Sequence, residues 1–213
     1  MKRCLKLQMQ TVLPSVAGIA IFSAGVVALS ALFPDASAVG GIARSILRSN
    51  PTFIVIFLAL VGSGVFDNSF QLALSMGGTR KGLFLSFQVS ALLSAAATVL
   101  LVSLIQAAAM QLIPDAAPEA LMLAVPSMWL LALIAFFLGS LWEGAYRKNK
   151  VWGAILVVCS MIFLPLAGFI TQLISYNSDT LGDLPWISPL CMAAAAAVLD
   201  CILWRSSLRM TVR

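Results

Sequence analysis

Two acidic side chains stand where a membrane-spanning helix would have to shelter them. Asp200 lies in an apolar run that ends at Trp204, about one turn before Arg205, and Glu143 directly follows a run ending at Trp142, four residues before Arg147. A charge at a helix centre in lipid costs on the order of 3 kcal/mol, so an ionisable group there is a candidate for binding ions or moving protons. The spacing points instead to relief of the charge. Glu followed by Arg at i,i+4 is the favourable order for an ion pair, Trp142 marks an interface beside it, and Asp200 can pair with Arg205 or snorkel. Neither residue supports a proton relay. The chain contains no His, which excludes an imidazole ligand or base, no Cys/His cluster has metal spacing, and no two acidic residues sit within one helical turn inside a span. No Gly-Lys dipeptide occurs, so the phosphate-cradling loop of a nucleotide hydrolase is absent. The chain is therefore read as no enzyme, with no catalytic residue, metal or cofactor of its own.

A second polar set is uncharged. Gln88, Ser90, Ser94, Thr98 and Ser103 fall along one long apolar run. Such groups either hydrogen-bond between helices or line a weakly polar route through the membrane. A route so poor in ions suits an amphipathic peptide, drug or lipid-like molecule better than a sugar or an ion.

The elements that must carry these residues follow from composition. Of 213 residues, 61% are hydrophobic and only 10% charged, where a soluble domain has about a quarter charged. Six apolar runs stand out, at 11–33, 52–66, 83–108, 126–142, 151–175 and 186–204. Each but the second approaches the roughly 20 residues of a transmembrane helix. The expected fold is a single all-α domain over 1–213 with six transmembrane helices, embedded in the bilayer. The second run is short unless residues near Ile46 extend it.

The basic surplus is distributed as topology requires rather than as a nucleic-acid surface. Lys2, Arg3, Lys6, Arg80, Lys81, Arg147, Lys148, Lys150, Arg205, Arg209 and Arg213 share one side if the amino terminus is cytoplasmic, and only Arg44 and Arg48 fall opposite. The positive-inside tendency then places both termini in the cytoplasm. Asp35, Asp115, Glu119, Asp179 and Asp183 fall outside. The start, with Lys2, Arg3 and Lys6 before an apolar stretch and Ala36-Ser37-Ala38, resembles a secretory signal. Its apolar run is longer than a signal's, and it is read as an uncleaved first span.

Four cysteines, at 4, 159, 191 and 201, do not form a secreted framework and are expected as small apolar packing groups. Between the first two spans, Ile42, Ala43, Ile46 and Leu47 recur opposite Arg44 and Arg48. The pattern predicts a short amphipathic helix at the outer headgroups.

The connection from Asp67 to Lys81 is the most informative segment. Asp67, Asn68 and Ser69 are capable N-caps, Gly77 suits a left-handed stop, and Thr79 can cap the next helix. A helix of about two turns is expected, with Phe66, Phe70, Ala73 and Leu74 as one apolar stripe. So short a helix needs a docking surface, which is either a partner protein or the bilayer interface.

The second span, the short helix ending Leu74-Ser75-Met76-Gly77-Gly78-Thr79-Arg80-Lys81 and the third span opening Leu83-Phe84-Leu85 together resemble bacterial permease subunits of type-2 ATP-binding-cassette (ABC) exporters. Phe136 to Trp142 leading into Tyr146-Arg147-Lys148-Asn149-Lys150, and the basic tail from Trp204, resemble that family's fourth span, tight turn and ending. The resemblance implies a coupling helix that seats in a groove of a separately encoded ATPase, with Phe66, Phe70, Leu74, Met76, Arg80 and Lys81 as candidate contacts. It also implies a second permease subunit, identical or related, ATP and magnesium held in the partner ATPase, and a location in the bacterial plasma (inner) membrane. The short segment Tyr176 to Pro185 leaves no room for a large external cap between spans five and six. The alternative is the small six-helix substrate-binding component of a vitamin-uptake system, which would lack the coupling helix.

Overall fold

A computed structural model of the chain describes residues 2–33, 38–66, 72, 79–112, 126–176 and 187–208. Among these there is no strand, and six helices follow one another: α1 (Lys2–Leu32), α2 (Ala38–Gly64), α3 (Arg80–Leu112), α4 (Pro126–Lys148), α5 (Lys150–Tyr176) and α6 (Ile187–Leu208). Five of them, all but α2, are long and apolar enough to cross a membrane, and the apolar part of α2 is confined to Phe53–Gly64.

The helices outrun the apolar runs read from the sequence. Residues 38–64 form one helix through Pro51, so the amphipathic segment around Arg44 and Arg48 is its amino-terminal half and not a separate element. Hydropathy falls across this stretch while helical hydrogen bonding does not depend on hydropathy. The same holds for α3, whose 33 residues span about 50 Å at 1.5 Å per residue.

At the centre, α4 packs against α2, α3, α5 and α6, while α1 covers α2 and α3. The α2–α4 contact is a close approach of backbones. A methyl group on Gly62 would collide with the carbonyl of Phe136, and one on Gly139 with the carbonyl of Ala59. Ser140 Oγ donates across this gap to the Gly62 carbonyl and back to Phe136 O, each at 3.0 Å. Lipid tails are as apolar as leucine, so contact through small residues, rather than the escape of apolar surface from water, holds such helices together. Ile54, Leu58, Val99, Met128 and Leu131 extend this packing as the central core.

The two ends of the bundle differ. Thr11 in α1 lies by Gly64 at the end of α2, Phe84 at the start of α3 meets Trp204 at the end of α6, and Phe66 shares a cavity with Lys148 and Arg205. The starts of α1, α3 and α5 therefore gather with the ends of α2, α4 and α6 at one pole.

Candidate functional site

That pole is basic. Lys6, Arg80, Lys81, Arg147, Lys148, Lys150 and Arg205 all belong to it, and each is exposed. Two connections cross it. The one between α4 and α5 is a single residue: Asn149 N donates to Ala145 O at 2.9 Å, ending α4. The Asn149 Oδ1 atom accepts from Val151 N at 3.0 Å and caps α5. Gly153 lies so close to the Tyr146 backbone that no side chain fits there. Glu143 and Arg147 form the expected i,i+4 pair at 2.9 Å.

The other connection, 67–78, is the longer one. Its far end is fixed by Thr79, whose hydroxyl accepts from Gly82 N at 3.3 Å and whose carbonyl accepts from Leu83 N at 2.9 Å. Within the connection Leu72 is half exposed, and Phe70, Leu74 and Met76 lie outside the described residues. Phe66, the remaining apolar candidate, is 2% exposed. Its ring meets Phe87 edge-on at 5.8 Å, so it is packed into the bundle and not offered on its surface.

Under the pole lies an aromatic cluster. Phe87, fully buried, stands 5.5 Å from Phe136 and 6.2 Å from Phe84, and Phe84 meets Trp204 edge-on at 4.8 Å. Phe66 just beyond α2, Phe84 and Phe87 on α3, Phe136 on α4 and Trp204 on α6 thus form one set of rings, with Val61 of α2 in the same cluster. Aromatic pairs in such geometry add about 0.5–1.5 kcal/mol each beyond their burial.

The polar row of α3 runs upward from there, inside the bundle. Ser90 and Ser94 are buried, and their hydroxyls donate to carbonyls of their own helix, Phe87 O at 2.7 Å and Ala91 O at 2.9 Å. Thr98 and Ser103 are buried with no hydrogen-bond partner among the described residues. Gln88 differs: its Nε2 donates to both carboxylate oxygens of Asp200 at 2.7 Å. The intramembrane acid is thus held by an amide 112 residues away, on α3, rather than by Arg205 on its own helix.

Three further features depart from or extend the sequence reading. Trp142 is buried with its indole N–H unpartnered among the described residues, so it faces the bundle interior and not an interface. Cys159, Cys191 and Cys201 are free and exposed on the outside of the bundle instead of packing within it. Gln8 on α1 and Gln106 on α3 are fully buried with both amide atoms unpaired among the described residues. An amide inside an apolar run was the available signal for both, as Gly62 and the Gly139-Ser140 dipeptide were for the close helix contact.

No group of three His, Cys, Asp or Glu residues able to hold a metal occurs among the described residues. No protein-family model matches the chain, and neither a curated protein nor a solved structure does.

Proposed function

We propose that the chain is the transmembrane subunit of an ATP-driven exporter of the type-2 ABC kind. It spans the plasma membrane six times with both termini cytoplasmic, and it works with a second permease and separate cytoplasmic ATPases. Its substrate is amphipathic, passing between the two permeases. The observation that carries this reading is the construction of the basic pole. One of its two connections is a single residue, so a partner arriving there engages 67–78 and the exposed Arg80 and Lys81. A push on that connection bears on Phe66 and, through its ring, on the aromatic cluster shared by four helices. Closure of the ATPases on ATP then shifts the helices as rigid bodies toward the outward-open state. The vitamin-uptake alternative needs a pocket with polar groups to fix its ligand, and the large groove between α5 and α6 has almost wholly apolar walls.

The test is copurification from the native membrane. The wild-type chain is expected to bring down an ATPase, and Phe70→Asp to lose it, because a buried anchor is replaced by a charge and 1.4 kcal/mol is already tenfold in affinity. Arg80→Ala is expected to change mainly the salt dependence of the association. Unchanged ATPase recovery with a correctly inserted Phe70→Asp protein would leave a helix lying on the bilayer surface in its place.

A further inference from the structure

The outer flank of the bundle carries a second, independent feature. Helices α5 and α6 both lean on α4 but diverge from each other, leaving a groove of about 720 Å³ floored by Leu131 and Ile134 and walled by Phe163, Met192 and Ala195. Leu138, Leu156 and Leu199 also line a neighbouring cavity of about 530 Å³, so the two adjoin along one flank as two segments of one cleft. The cleft changes character along its length. At the basic pole it ends on Lys148, Arg205 and Ser206. Neither Lys148 nor Arg205 forms an ion pair among the described residues: Glu143 pairs with Arg147, and the Asp200 carboxylate takes its hydrogen bonds from the neutral Gln88 amide instead of from Arg205. From Cys191 to Arg205 the wall is about 21 Å long at 1.5 Å per residue, somewhat more than one leaflet of a hydrocarbon core about 30 Å thick.

We propose that this cleft seats an anionic membrane lipid, with an acyl chain along the apolar groove and the headgroup phosphate between Lys148 and Arg205. The assignment rests on charge complementarity at one end, continuity of the apolar walls, and the place of the opening. That opening lies beside α6, whose most apolar window is only 6% buried, so it gives onto the surface that faces lipid. A soluble anion would gain nothing from the groove. A neutral lipid would leave two cations without a partner at a site where each basic side chain favours anionic lipid. The site does not depend on the exporter reading and would exist in a chain that transported nothing.

The test uses the full chain in detergent, exchanged into mixed micelles holding equal amounts of phosphatidylglycerol and phosphatidylcholine with identical acyl chains, and weighed by native mass spectrometry. One phosphatidylglycerol per chain is expected to be retained, with roughly tenfold preference over phosphatidylcholine. Lys148→Ala combined with Arg205→Ala should bring the ratio to about one. Lys6→Ala with Lys150→Ala removes equal charge from the same pole outside the cleft and should leave the preference intact. Ala195→Phe, which fills the groove, should lower retention of both lipids. Equal retention of the two lipids by the wild type, or an equal loss of preference in the control pair, would overturn the site. So would displacement of the lipid by glycerol phosphate at matched concentration, which would reduce it to an anion site. A dimer carrying no lipid would assign the groove to a second copy of the chain.

Discussion

The α2–α4 contact and the α5–α6 flank are made of similar residues and reach opposite results. Sixty-one per cent of the most apolar window of α4 is buried and 6% of that of α6. Leu, Ile, Val and Ala dominate both. What differs is the placement of the smallest residues. Between α2 and α4, Gly62 faces the Phe136 backbone and Gly139 the Ala59 backbone, with Ser140 beside them, and the two helices close on one another. Among the described residues no glycine brings α5 against α6, and Phe163 and Met192 line a cleft between them. In a membrane, then, hydrophobicity places a helix in the bilayer, and small residues decide which helices touch.

The largest effect is expected at Gly139. Overpacking costs about 1–3 kcal/mol where side chains can yield, but here the obstacle is the Ala59 backbone. Gly139→Leu is expected to abolish the folded bundle, seen as loss of a monodisperse peak on size exclusion in mild detergent. A normal peak with an unchanged melting temperature would show that the close approach is dispensable.

A middle-sized effect is expected where α6 is tied by a polar bond instead of dry packing. Gln88→Leu leaves the Asp200 carboxylate without its donor and should cost about 1.5–3 kcal/mol. Adding Asp200→Leu should recover most of that, since replacing both partners by apolar groups is nearly neutral. A double-mutant cycle on thermal unfolding measures the coupling, and additive effects would mean that Gln88 does not hold α6. The smallest effect belongs to the cleft wall. Cys191→Ala should change stability by no more than about 0.5 kcal/mol, and a larger loss would show that the flank is packed more tightly than its open groove implies.

The sequence made the helical class, the Thr79 cap and the Glu143–Arg147 pair readable, because each depends on residues within four positions of one another. The basic clustering was readable too, since it follows from the alternation of helix directions. The extent of α2 was not, because a hydropathy scan stops where arginines begin and a helix does not. Nor was the Gln88–Asp200 bond, which joins positions 112 residues apart and needs the bundle to exist first. The buried position of Phe66 was missed for a related reason. An apolar stripe at helical spacing says that a face will be covered and is silent on whether a partner or the chain itself covers it.

The bond from Ser140 to Gly62 has a consequence in time as well as in space. The two residues are 78 positions apart, and chains are made at about 5–20 residues per second. Once Gly62 has been synthesised, roughly 4–16 seconds pass before the serine that will donate to it exists. During that interval α2 has only α1 and the growing α3 for company. This close contact thus waits until after α1, α2 and α3 can already have packed together, and α2 must keep its glycine face vacant for α4 in the meantime.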